Sequence, residues 1–287
     1  MQAPILKTPA LLAGAILLAA IPASAQIEGS FDRTLRVSGP VELDVTTDSG
    51  GISVRPGATG SVHIHAILKG HHGWGSGDVD RRIHELERNP PVEQIGNRVR
   101  VGYVTNRSLL RNISMRFEIE TPASTQLRAR ADSGGIEAEG LHGPVDCRTD
   151  SGGIELRQIG SDVRATADSG GVRITGVHGS VYARADSGSI DAYDVAGQID
   201  VKVDSGGVRL SQTRPAPIRA EADSGGVRVK LAPNGGYDLS LATGSGRINV
   251  PEMTVRGSYS RHRVEGKVRG GGPPVDIRVD SGGIDVE

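Results

Sequence analysis

Apolar and polar positions alternate in short runs that recur with a fixed period between residues 127 and 250. In the stretch from Gly153 to Asp168, Ile154 and Leu156 alternate with Glu155 and Arg157. Val163, Ala165 and Ala167 then alternate with Arg164 and Thr166. Period-2 alternation over a few residues predicts a half-buried strand. Ile159-Gly160-Ser161 separates the two runs and Asp168-Ser169-Gly170-Gly171 closes them, so each unit holds two short strands and two turns. The same apolar slots recur in neighbouring units, as Ile136/Ala138, Val172/Ile174, Ile190/Ala192, Val208/Leu210 and Val227/Val229 in the first strand. The second strand carries Val145/Cys147, Val181/Ala183, Ile199/Val201 and Ile218/Ala220.

The turn Asp-Ser-Gly-Gly gives the period. It begins at Asp48, Asp132, Asp150, Asp168, Asp204, Asp223 and Asp280, with Asp186 opening a near copy and Thr243-Gly244-Ser245-Gly246 a decayed one. From Asp132 to Asp204 the step is 18 residues. A fixed short period means stacked identical units, none of which can bury its apolar face alone. The expected fold is all-β, a β-solenoid (β-helix-like) stack of 18-residue two-strand repeats. The alternative is a two-sheet β-sandwich of consecutive hairpins.

The chain divides unevenly. Residues 1–25 read as a signal peptide, because the apolar run Leu11 to Ile21 is too short to span a membrane and Ala23-Ser24-Ala25 fits a small-x-small cleavage site. Residues 26–287 read as one domain, with an irregular part at 26–126, regular repeats at 127–250, and an irregular part plus a final layer at 251–287. Asp78 to Glu87 predicts one short helix, capped by Asp78 and stopped by Pro90 and Pro91, with Val79, Ile83 and Leu86 on one face. Lys69 to Asp78 reads as a Gly-rich loop, with strands at Arg98–Val104 and Met115–Glu120. Export is expected, to the periplasm, the outer surface or the medium, with no transmembrane span.

Net charge is near zero with both signs interspersed, which argues against a nucleic-acid binder. Phe, Tyr and Trp together number eight, so a stacking surface has little to build with. Cys147 is the single cysteine, so no intramolecular disulfide exists. It occupies an apolar slot, which predicts a buried, inert thiol.

Two clusters could hold a metal. Asp132, Asp150, Asp168, Asp186, Asp204 and Asp223 would stack in one row, where calcium could bridge them. The simpler account is an Asx-turn, each carboxylate accepting from backbone N–H groups two residues on. His63, His65, His71 and His72 fall within ten residues, with His84 nearby, and His63 and His65 share one side of a strand. That grouping allows a zinc-like ion if enough donors converge. Trp74, the sole tryptophan, lies in the loop and could serve as a binding tip. No nucleophile–base pair is evident, and no cofactor is expected. A catalytic cleft would have to be built from the irregular stretches 69–97 or 251–272.

The run Glu120-Thr121-Pro122 to Leu127, the repeated strand–Ser-Gly-Gly–strand units, the insert Gly140-Leu141-His142-Gly143-Pro144-Val145, and the closing Gly271 to Ile277 and Asp280 to Ile284 resemble the bacterial putative-adhesin family. That resemblance covers most of the mature chain. It implies an exported β-repeat domain of unknown function with an adhesive or envelope role and no catalytic residues. The expected function is thus a non-enzymatic cell-envelope or adhesin-like scaffold meeting a protein or glycan partner. The alternatives are a polysaccharide-active enzyme or carbohydrate binder on the same stack, and a calcium- or zinc-dependent repeat protein.

Overall fold

The computed structural model describes residues 27–71, 78–250 and 255–287. The chain is a β-solenoid of two facing sheets, one of 12 and one of 13 strands. Each coil contributes one strand to each sheet. Val145–Ser151 lies in one sheet, the chain turns at Gly152-Gly153, and Ile154–Ile159 lies in the other. Successive coils pair in parallel without a register slip through most of the stack: Val145 faces Val163, which faces Val181, which faces Ile199, which faces Ile218. Parallel pairing between coils, with consecutive strands in opposite sheets, excludes the hairpin sandwich.

The interior follows from the alternation. Val163, Ala165 and Ala167 are buried while Arg164 is exposed. Leu141, Ile159, Val177 and Val195 plug the corner opposite the Ser-Gly-Gly turn, each with 0% exposure. Full burial of one such aliphatic side chain stabilises by about 1.5–3 kcal/mol, and repetition in every layer makes the core continuous.

Both ends depart from the parallel pattern. At the N-terminal end Ile113–Thr121 joins one sheet in parallel with Ile52–Pro56, and Ser61–Gly70 and then Ile27–Arg36 extend it as antiparallel strands. The helix α1 (Val79–Arg88) packs Val79, Ile83 and Leu86 inward, and Glu87 Oε1 accepts the N–H of Ser30 on the edge strand at 3.0 Å. The helix therefore blunts an edge that would otherwise present open N–H groups. Asp78 stands at its N-cap position but makes no side-chain cap bond; its carboxylate pairs with Arg81 instead. Strand Ser61–Gly70 runs further into the Gly-rich stretch than the sequence suggests, and Arg98–Val101 ends sooner.

The last segment is not the final layer. In one sheet the order is Ile218–Ser224, Pro274–Ser281, Tyr237–Ser245; in the other it is Val227–Lys230, Ile284–Val286, Ile248–Asn249. The C-terminal coil thus sits between two coils that precede it in sequence. The outermost coil is the one with the decayed turn. The antiparallel strands Val255–Tyr259 and Arg263–Val268 continue the sheet beyond it. Alternation and turn sequence encode each coil's shape but not its place in the stack, so the crossover was hidden.

Candidate functional site

The turn aspartates do form a row. Register pairs Thr149 with Ala167 and Ser151 with Ser169, which sets Asp150 beside Asp168, and the same pairing recurs from coil to coil. Asp280 falls between Asp223 and Gly244, so the row runs on through the inserted coil. The expected Asx-turns are absent. Among the described residues no Ser or Gly N–H donates to these carboxylates. The first glycine's N–H instead donates to the serine carbonyl of the adjoining coil, as from Gly152 to Ser169 at 2.9 Å and from Gly170 to Ser187 at 2.9 Å. The ladder consumes the donors that an Asx-turn needs.

What offsets the aspartate repulsion is a basic row two residues upstream on the same face. Arg130, Arg148, Arg184, Lys202 and Arg278 occupy equivalent positions, interrupted by Thr166 and Glu221. Arg148 approaches Asp150 at 3.7 Å and Asp168 at 3.3 Å, bridging two layers. The sequence signal was the Lys or Arg standing two positions before most turn aspartates. At Asp132 burial and then the neighbouring Asp48 and Asp150 charges raise the carboxyl above its usual range, with Arg107 opposing.

A concave pocket of about 550 Å³ opens on the outer face of the other sheet, near the N-terminal end. Its floor is Gly51, Ser53 and Gly135, residues too small to fill the face. Its walls include His63, His65, Glu118, Glu120, Arg55 and Arg116. His65 Nδ1 lies 2.9 Å from Asp32 Oδ1 and His63 Nε2 lies 3.6 Å from the same oxygen. The structure therefore brings His63 and His65 together. It separates them from His71, which follows the end of the same strand, about 20 Å along from His65 at the rise of an extended chain. His72 and Trp74 lie outside the described residues. This pocket is formed by regular strands rather than by the irregular stretches at 69–97 and 251–272.

A shallower groove of about 380 Å³ runs along the first sheet's outer face between Gln126, Arg128, Asp146, Arg164, Tyr182 and Asp200. The Arg164 guanidinium stacks 4.4 Å from the Tyr182 ring centroid. Cys147 is buried, and burial pushes its thiol far up, out of reach of thiolate chemistry at neutral pH. No helix among the described residues is long and apolar enough to cross a membrane.

A parallel β-solenoid with a solvated charge lattice on both faces is a scaffold architecture. Residues 93–287 match the family described as Toastrack DUF4097, and the chain belongs to it. A comparison with curated proteins finds no match. Among solved structures, the chain is similar to a putative cell adhesion protein from Clostridium sporogenes at 12% identity and a TM-score of 0.30, over 90% of this chain and 99% of that one. It is also similar to a putative adhesin (BF0245) from Bacteroides fragilis at 11% identity and a TM-score of 0.34, over 90% of this chain and 97% of that one.

Proposed function

We propose that this protein is a non-enzymatic, exported scaffold of the cell envelope, adhesin-like in role, whose outer sheet faces meet a protein or glycan partner. On this reading residues 1–25 are removed as a signal peptide and residues 26–287 act as one unit. The observation that carries it is the regularity of the outer faces. Charges of opposite sign meet across layers, as where Asp191 lies between Arg173 at 3.7 Å and Arg209 at 3.2 Å. The turns of the regular repeats are too short to build a deep cleft over such a face. A flat, rigid, periodic surface suits multivalent contact better than enclosure of a small substrate.

The Tyr182 groove favours a glycan over a protein as the partner. It offers one aromatic ring among carboxylate, amide and guanidinium groups, the kit that sugar hydroxyls and ring faces use. The test is binding of the purified mature chain to an array of envelope glycans, beside affinity capture from envelope extracts. Saturable glycan binding lost in Tyr182→Ala supports the glycan form of the proposal. Turnover of any polysaccharide would overturn the non-enzymatic reading.

A further inference from the structure

We propose that His63, His65 and Asp32 form a binding site for a divalent transition metal of the zinc class on the outer face of the N-terminal cap. The site rests on the register of three antiparallel strands. His65 stands between Asp32 and Glu118, and His63 between Thr34 and Glu120, all six on one face. Two imidazoles at i and i+2 on a central strand, with carboxylates on the strands either side, give a donor set from three neighbouring backbones that the sheet holds rigid.

The two histidine–aspartate distances suit a shared ion. Zinc–nitrogen and zinc–oxygen bonds near 2.0–2.1 Å put tetrahedral donors about 3.3 Å apart. The two separations converging on Asp32 Oδ1, 2.9 Å from His65 Nδ1 and 3.6 Å from His63 Nε2, bracket that edge. The His63 ring is already oriented as a ligand would be. Its Nδ1 is hydrogen-bonded to Thr34 Oγ1 at 3.1 Å, which leaves Nε2 facing the carboxylate. Metal-ligating histidines are commonly fixed in this way through the other ring nitrogen.

The three side chains are 34–58% exposed, so an ion can enter from solvent. Glu118 and Glu120 line the same pocket, and neither makes an ion pair with another described residue, so each is available as a fourth donor. No trio of His, Cys, Asp or Glu among the described residues, His63, His65 and Asp32 included, is already placed to hold a metal ion. Binding therefore requires these exposed side chains to move from their observed hydrogen-bonded positions. Imidazole nitrogen selects zinc, nickel or copper over calcium and magnesium.

His84 supplies a contrast. Its Nδ1 meets Glu87 and its Nε2 meets Asp80, so its two carboxylates lie on opposite sides of one ring and cannot share an ion with it.

The test is calorimetric titration of the full-length mature protein with zinc chloride, with calcium chloride as the comparison. One zinc ion per chain is expected, with affinity reduced at least about tenfold in each of His63→Ala, His65→Ala and Asp32→Asn and unchanged in His84→Ala and His71→Ala. The substituted side chains are all on the outer face, and circular dichroism checks that each variant is folded. Imidazole nitrogen resonances of the unsubstituted protein give an answer independent of any variant: zinc should move those of His63 and His65 alone. Absence of zinc binding, binding undiminished in His63→Ala and His65→Ala, or shifts confined to other histidines would overturn the proposal.

Discussion

The backbone oxygen of Gly134 lies 2.1 Å from the point where a Cβ on Gly152 would stand. Gly152 also has φ +151°, a conformation that L side chains rarely adopt. The two constraints act together, because the turn brings each coil's backbone directly onto the next. Gly152→Ala should therefore cost about 3–5 kcal/mol, combining backbone strain with an overpacking clash against main chain that cannot yield. The second glycine is different. A Cβ on Gly153 would meet Gly171 O at 3.4 Å, close to an ordinary contact, and its φ is not in the left-handed range. Gly153→Ala should stay within about 1 kcal/mol of the unsubstituted protein. Urea unfolding of the two variants side by side checks the contrast, and equal losses would refute it.

The opposite corner offers a stabilising change. Gly140, Gln158, Gly176 and Asp194 are equivalent positions, all with φ between +54° and +71°. Gln158 adopts there a conformation that glycine takes without a Cβ penalty. Gln158→Gly should raise stability by roughly 1 kcal/mol, the cost usually carried by a non-glycine residue in this region. Thermal unfolding would show a small upward shift, whereas Gly176→Gln should shift it downward.

Charge in the turn row and in the row beside it makes stability depend on pH in two opposite senses. Asp132 has its carboxyl raised from 3.8 by burial and by Asp48 and Asp150. A raised acid contributes stability below its unfolded value and loses it as pH rises through the folded value. Asp132→Asn should therefore be more stable than the parent at pH 7, with the gap closing as pH falls toward 3.8 and below. Glu221 is lowered from 4.5, first by its hydrogen bond from Arg219. Its contribution is present above 4.5 and fades as pH falls through the lower folded value. Glu221→Gln should be less stable than the parent at pH 7 and similar to it in strong acid. Melting curves at several pH values test both signs.

The inserted coil predicts a local consequence. Ile277 is buried at 0% and pairs with Ala220 on one side and Leu241 on the other. Ile277→Asp would bury a charge without a partner and should expel the segment. Hydrogen exchange should then rise in Tyr237–Ser245 and Ile248–Asn249, although these lie far from Ile277 in sequence, and stay low across residues 145–210. Protection lost only at 274–287 would contradict the layer order.

Much of this fold could be read from the chain. Val163/Ala165 and Ile154/Leu156 alternate with period 2, and the inward and outward faces they predict are the observed ones. Layer order could not be read, since the coil ending in Val286 carries the same pattern as its neighbours. One clue was present. The intact Asp280-Ser281-Gly282-Gly283 turn fits an interior position, and the decayed Thr243-Gly244-Ser245-Gly246 fits an end where fewer neighbours constrain it. The candidate site was half legible. His63 and His65 share a face by parity, but Asp32 and Glu118 reach them through antiparallel pairing across long intervals, which no local pattern encodes. The pocket beside them depends on small residues, Gly51, Ser53 and Gly135, whose meaning emerges only once strands are placed side by side.

Placing Pro274–Val286 inside the stack ties the docking of the preceding coil to the order of synthesis. A ribosome delivers the residues from first to last. Tyr237–Asn249 is therefore made before Pro274–Val286, the strands that join it to the body. Until those emerge, the growing polypeptide has a vacant layer and cannot close. Pro274–Val286 works as a keystone, since the two coils it separates are joined only once it has been made.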